Sequence, residues 1–72
     1  MSAARDAALK GIDTALEDAV SKLSGIYENC LIEAAGDAAQ EAECKAIRDR
    51  SLGFAKRAYT DMVQAVNQQW PG

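Results

Sequence analysis

Residues 30–44 read CLIEAAGDAAQEAEC, a segment with the features of one helix end followed directly by one helix start. Gly36 stands where a helix C-terminus favours a residue in the left-handed conformation. Asp37 is a candidate N-cap for the next helix, and Gln40, three residues later, completes a variant of the capping box. So short a connection between two helices makes them antiparallel neighbours.

Long helical patterns lie on both sides of this turn at 36–37. In the first segment, about 2–35, apolar residues are spaced alternately three and four apart, at Leu9, Ile12, Leu16, Ala19, Leu23, Ile26 and Cys30. The second segment, about 38–69, continues the spacing through Cys44, Ile47, Ser51, Phe54 and Ala58. Such seams predict helices that pack lengthwise on each other. The 72 residues are therefore predicted to form one all-α domain, an antiparallel helical hairpin.

The pair Ser24-Gly25 is the weakest point of the first segment. Glycine inside a helix costs about 1 kcal/mol relative to alanine. A break at this pair would let the N-terminal part fold back, and the alternative architecture is then a three-helix monomer.

The two cysteines define a register for the hairpin. When the chain folds at 36–37, the numbers of facing residues add up to about 74, and those of Cys30 and Cys44 do so. The sequence therefore predicts a disulfide between them, which would stabilise so short a chain by roughly 3 kcal/mol. Its formation favours a periplasmic or secreted protein, whereas two free thiols would indicate the cytoplasm.

The composition argues against catalysis. The chain has no histidine, the commonest general base and metal ligand, and its five glycines are scattered rather than gathered in a phosphate-binding loop. Two cysteines alone cannot form a structural zinc site, and no C-x-x-C redox motif is present. We therefore expect no enzyme activity, no catalytic or metal-binding residues and no cofactor.

The chain carries more apolar side chains than one helix–helix seam can bury, and uncovered apolar patches are typical of interaction sites. The candidate partner interface consists of Tyr27, Leu52, Tyr59, Met62, Val66 and Trp70. A homodimer that completes a four-helix bundle would cover it, and so would a different protein. The favoured function is a small protein-binding module of the inhibitor, adaptor or immunity type. A self-assembling structural bundle is the alternative.

A basic stretch, 45–57, suggests a second alternative, the binding of an anionic ligand or nucleic acid. Its candidate anion-facing residues are Lys45, Arg48, Arg50, Lys56 and Arg57. The net charge of −3 weighs against nucleic acid, which needs a basic face. No apolar run approaches the ~20 residues that span a bilayer, and the acidic first half weighs against a membrane surface.

Overall fold

Two helices form the part of the chain, residues 2–70, that a computed structural model describes. Helix α1 spans Ala3–Ala34 and helix α2 spans Ala38–Gln69, with 32 residues each, and they pack as an antiparallel hairpin about 52 Å long. The all-α hairpin is therefore confirmed. Helix α1 passes through Ser24-Gly25 without interruption, so the three-helix alternative is wrong.

Polar side chains cap the start of both helices. The Ser2 hydroxyl accepts a hydrogen bond from the Arg5 amide at 3.2 Å. The Asp37 carboxylate accepts from the amides of Ala39 and Gln40, at 2.9 and 3.2 Å. Each cap satisfies backbone donors that a helix start leaves without partners and is worth about 1 kcal/mol.

The turn uses two residues with positive φ. Gly36 has φ 86°, as its position predicts, and Ala35 before it has φ 50° and ψ 40°. The amide of Asp37 then donates to the carbonyl of Ala34 at 2.9 Å. The chain thus reverses over three residues, 35–37, and α2 begins directly against the end of α1.

A disulfide joins Cys30 and Cys44, with the two Cα atoms 5.9 Å apart, as the register predicted. Cys44 and Ala34 are the only buried hydrophobic residues among those described, at 4% and 5% exposure. The best-protected part of the hairpin is thus its closed end, beside the turn.

Farther from the turn, the packing repeats every eleven residues. Ile12, Leu23 and Ala34 follow this period on the inner side of α1, and Cys44, Ala55 and Val66 follow it on α2. Eleven residues correspond to three helical turns at 3.67 residues each, close to the natural 3.6. Two nearly straight helices can therefore stay in contact over their full length.

The heptad seam predicted from the sequence was wrong at three large residues. Ile26, Ile47 and Phe54 are 59%, 41% and 59% exposed, so they are not buried in the seam between the helices. Tyr27 and Arg48 are half-buried next to the first two. These three apolar side chains therefore contribute to the outer surface of the hairpin.

Two side-chain hydrogen bonds tie the helices together toward the open end. The Tyr59 hydroxyl donates to the Asp13 carboxylate at 2.9 Å, and the Arg5 guanidinium donates to the Asn67 side-chain oxygen at 2.7 Å. In both pairs the residue numbers add up to 72, close to the value set by the disulfide. The register therefore holds along the whole hairpin.

Candidate interaction surface

One face of the hairpin carries most of its exposed large apolar side chains. Ile47, Phe54 and Ala58 are seven and four residues apart, so they lie on one side of α2. On α1, Ala15, Ala19 and Ile26 are spaced four and seven apart. Ala15 and Ala58 line the same groove, which places the two stripes on one face. We call it the groove face, made of Ala8, Ala15, Ala19, Ile26, Ile47, Phe54, Ala58, Met62 and Ala65.

Two apolar grooves run between the helices on this face. The groove near the turn has a volume of about 290 Å³ and is lined by Ile26, Ile47 and both cysteines of the disulfide. The groove toward the open end has about 110 Å³ and is lined mainly by alanines, with Met62 among its other residues. An apolar groove between two helices is the kind of site that accepts apolar side chains from a third helix.

The sequence-predicted partner interface overlaps the groove face only in part, since Tyr27, Tyr59 and Met62 line the grooves whereas Leu52, Val66 and Trp70 do not. Tyr27, Leu52, Tyr59, Val66 and Trp70 are half-buried, whereas Met62 is 43% exposed and belongs to the groove face. Sequence reasoning missed Ile26, Ile47 and Phe54 as surface residues because it assigned them to the seam. The signal that could have found them is the eleven-residue period, which skips all three.

Tyr59 is engaged within the hairpin. Its hydroxyl donates to Asp13, and this hydrogen bond, together with the negative charge of the carboxylate, raises the pKa of Tyr59 above its usual value. A register in which facing residue numbers add up to 74 would place Asp13 opposite Asp61, two like charges. Asp13 instead pairs with a neutral donor one half-turn away.

The basic residues of α2 are spread over more than one side of the helix. Lys45 and Lys56 are eleven residues apart on one side of the helix, whereas Arg50 and Arg57 lie on another side. Arg48 is half-buried, with its guanidinium 4.4 Å from the centre of the Tyr27 ring.

Two arginines are already occupied by contacts within α2 or with α1. Arg48 pairs with the carboxylate of Asp49 at 3.0 Å. The guanidinium of Arg57 lies 4.9 Å from the centre of the Phe54 ring. Cation–π contacts of this kind are worth about 0.5–1 kcal/mol at exposed sites.

Within residues 2–70, no group of three or more cysteine or acidic side chains is placed to hold a metal ion. Neither described helix has a stretch long and apolar enough to cross a bilayer. No family model, curated protein or solved structure matches this chain.

Proposed function

We propose that this chain is a small non-enzymatic module that binds another polypeptide through its groove face. The observation that carries the proposal is the cluster of exposed Ile26, Ile47, Phe54 and Met62 beside two apolar grooves. Burying apolar surface yields about 25 cal/mol for each Å² removed from water. A partner helix with an apolar stripe would fill the grooves and cover these side chains together.

Several features support binding rather than catalysis. The sequence has no histidine, and the surface of the two grooves is mainly apolar, with Arg48 and Ser51 at the larger one. Tyr59, whose pKa is raised, lines the groove toward the open end, but its hydroxyl is already hydrogen-bonded to Asp13. A rigid, apolar surface suits an inhibitor, an adaptor or an immunity-type protein.

The disulfide supports an exported protein. Disulfides persist in the periplasm and outside the cell and are rare in the cytosol of most organisms. The Cys30–Cys44 bond pins the end of the hairpin that carries the larger groove. The partner should accordingly be sought in the same oxidising compartment.

Site-specific photocrosslinking in cells that make the protein tests this function. A photoreactive phenylalanine analogue at Phe54 should yield a crosslinked adduct, whereas the same analogue at Ile32 should not, although Ile32 is 74% exposed. Added unlabelled chain should suppress the adduct, and added Phe54→Asp chain should not. Equal adducts from both positions, or none from position 54, would refute binding through the groove face. The adduct mass separates a second copy from a different protein.

A further inference from the structure

The single hairpin exposes more surface than a chain of its size normally does. Its accessible surface is 5333 Å², whereas a monomeric globular protein of 7.7 kDa exposes about 4,300 Å². The excess of about 1,000 Å² resembles the ~800 Å² that each partner buries in a stable protein–protein interface. Burying one such interface per chain would therefore reduce the accessible surface to about that of a monomeric globular protein of this size.

The groove face is also complementary to itself in size. Ala8, Ala15, Ala19 and Ile26 are spaced seven, four and seven apart on α1. The same spacing separates Ile47, Phe54, Ala58 and Ala65 on α2. Each pattern is symmetric about its centre, residue 17 or 56. Within these two patterns the large side chains lie toward the turn and the alanines toward the open end; Met62, toward the open end of α2, lies outside the patterns.

The two centres of symmetry lie at the same level of the hairpin, because facing residue numbers add up to between 72 and 74. A two-fold axis at this level could lie in the plane of the groove face, perpendicular to both helices. It would place the large residues of each helix over alanines of the same helix in the partner. Ile47 would lie over the partner's Ala65, and Phe54 over the partner's Ala58. Ile26 would lie over the partner's Ala8.

Resting on the function proposed above, we propose that the groove face binds a second copy of this chain, turned end for end. The product is a four-helix bundle in which α1 packs on the partner's α1 and α2 packs on the partner's α2. A two-fold axis makes such an interface self-complementary, since each chain supplies both the large side chains and the small ones that receive them. Helix–helix packing of this kind forms bundle cores.

A charged pair on the edge of α2 fits the same arrangement. Arg50 and Asp61 lie eleven residues apart, about 16 Å along one side of the helix, so they cannot pair within one chain. Turned end for end, Arg50 meets the partner's Asp61, and the contact occurs twice. Closer to the axis, Asp18 keeps its 2.9 Å ion pair with Lys22, and Arg57 stays beside the Phe54 ring.

The other two-fold arrangement, with both turns at the same end, fits less well. It stacks the isoleucine layer on the partner's isoleucine layer and sets alanine layers against each other, which leaves a void. Cavities of this kind destabilise packed interfaces. This arrangement would bring Asp18 near the partner's Arg57 instead of pairing Arg50 with Asp61, so charge substitutions distinguish the two.

Analytical ultracentrifugation of the oxidised full-length chain over a range of concentrations tests the proposal. The wild type should form a dimer, and Phe54→Asp should weaken it by at least about 100-fold, since a buried carboxylate lacks a partner. Ala58→Lys, which leaves Phe54 in place, should act similarly. Ile32→Asp is the matched control and should leave the dissociation constant unchanged. Circular dichroism confirms that each variant stays helical, because all three positions are exposed in the hairpin.

Charge exchange tests the orientation. Arg50→Glu and Asp61→Arg should each weaken the dimer by roughly tenfold through two repulsive contacts. The double variant should return to within about threefold of wild type. A dimer without this rescue, or with rescue between exchanged Asp18 and Arg57, overturns the end-for-end arrangement. A strict monomer overturns the second copy as the occupant, while a crosslinked adduct of another mass would leave the proposed function standing.

Discussion

Reduction of the Cys30–Cys44 disulfide should remove a large part of the stability of this hairpin. The bond joins residues fourteen apart in sequence, and closing a loop of about 15 residues lowers the free energy of folding by about 3 kcal/mol. Few side chains are buried elsewhere, so packing along the helices has little to replace it. Reduction keeps both sulfur atoms in place and therefore tests the crosslink apart from its packing.

Urea unfolding followed by circular dichroism at 222 nm measures this loss. With a denaturant dependence near 1 kcal/mol per M for so small a protein, the midpoint should fall by about 3 M in reductant. The matched control is Cys30→Ala/Cys44→Ala. Its midpoint should resemble that of the reduced chain and should not change when reductant is added. Protein concentration is held constant, because a dimer adds a concentration-dependent contribution. A shift below about 0.5 M would refute the reasoning and show that helix packing alone holds the register.

Other substitutions test the helices and their contacts. Gly25→Ala should raise the free energy of unfolding by about 1 kcal/mol, because a Cβ there meets open space within a helix, whereas Gly36→Ala should lower it, because φ is 86°. Asp37→Ala should cost about 1 kcal/mol by removing the N-cap, as measured by thermal unfolding. The raised pKa of Tyr59 means that its contribution to stability is complete below pH 10 and is lost as the pH rises through the folded-state value. Absorbance titration of a variant with the other tyrosine replaced should show this pKa fall in Asp13→Asn, and an unchanged value would contradict the assigned hydrogen bond.

The turn and the disulfide could be predicted from the sequence because both depend on local features. Gly36 and Asp37 act through their own backbone and cap, and the register follows from counting outward from them. Each of these predictions needs only a few residues. None of them depends on how the helices rotate about their axes.

Which side chains lie on each face could not be predicted in the same way. A heptad spacing differs from a whole number of helical turns, and the angular difference accumulates along a helix. A straight α-helix drifts about 20° per heptad, or about 50° between Leu9 and Ile26. By that point the inward position has passed to Tyr27, and Ile26 points outward. The exposed Ile26, Ile47 and Phe54 were therefore left out of the interface predicted from the sequence.

The position of the disulfide has a consequence for how binding energy is distributed along the molecule. Near the turn, the covalent bond has already restricted the chain, so a partner that binds beside Ile26 and Ile47 has little ordering entropy to offset. At the open end the helices are joined by hydrogen bonds such as that between Arg5 and Asn67, and their ends fray at low cost. Contacts of equal area should therefore contribute more affinity at the closed end, and hydrogen exchange on complex formation should slow most at the open one.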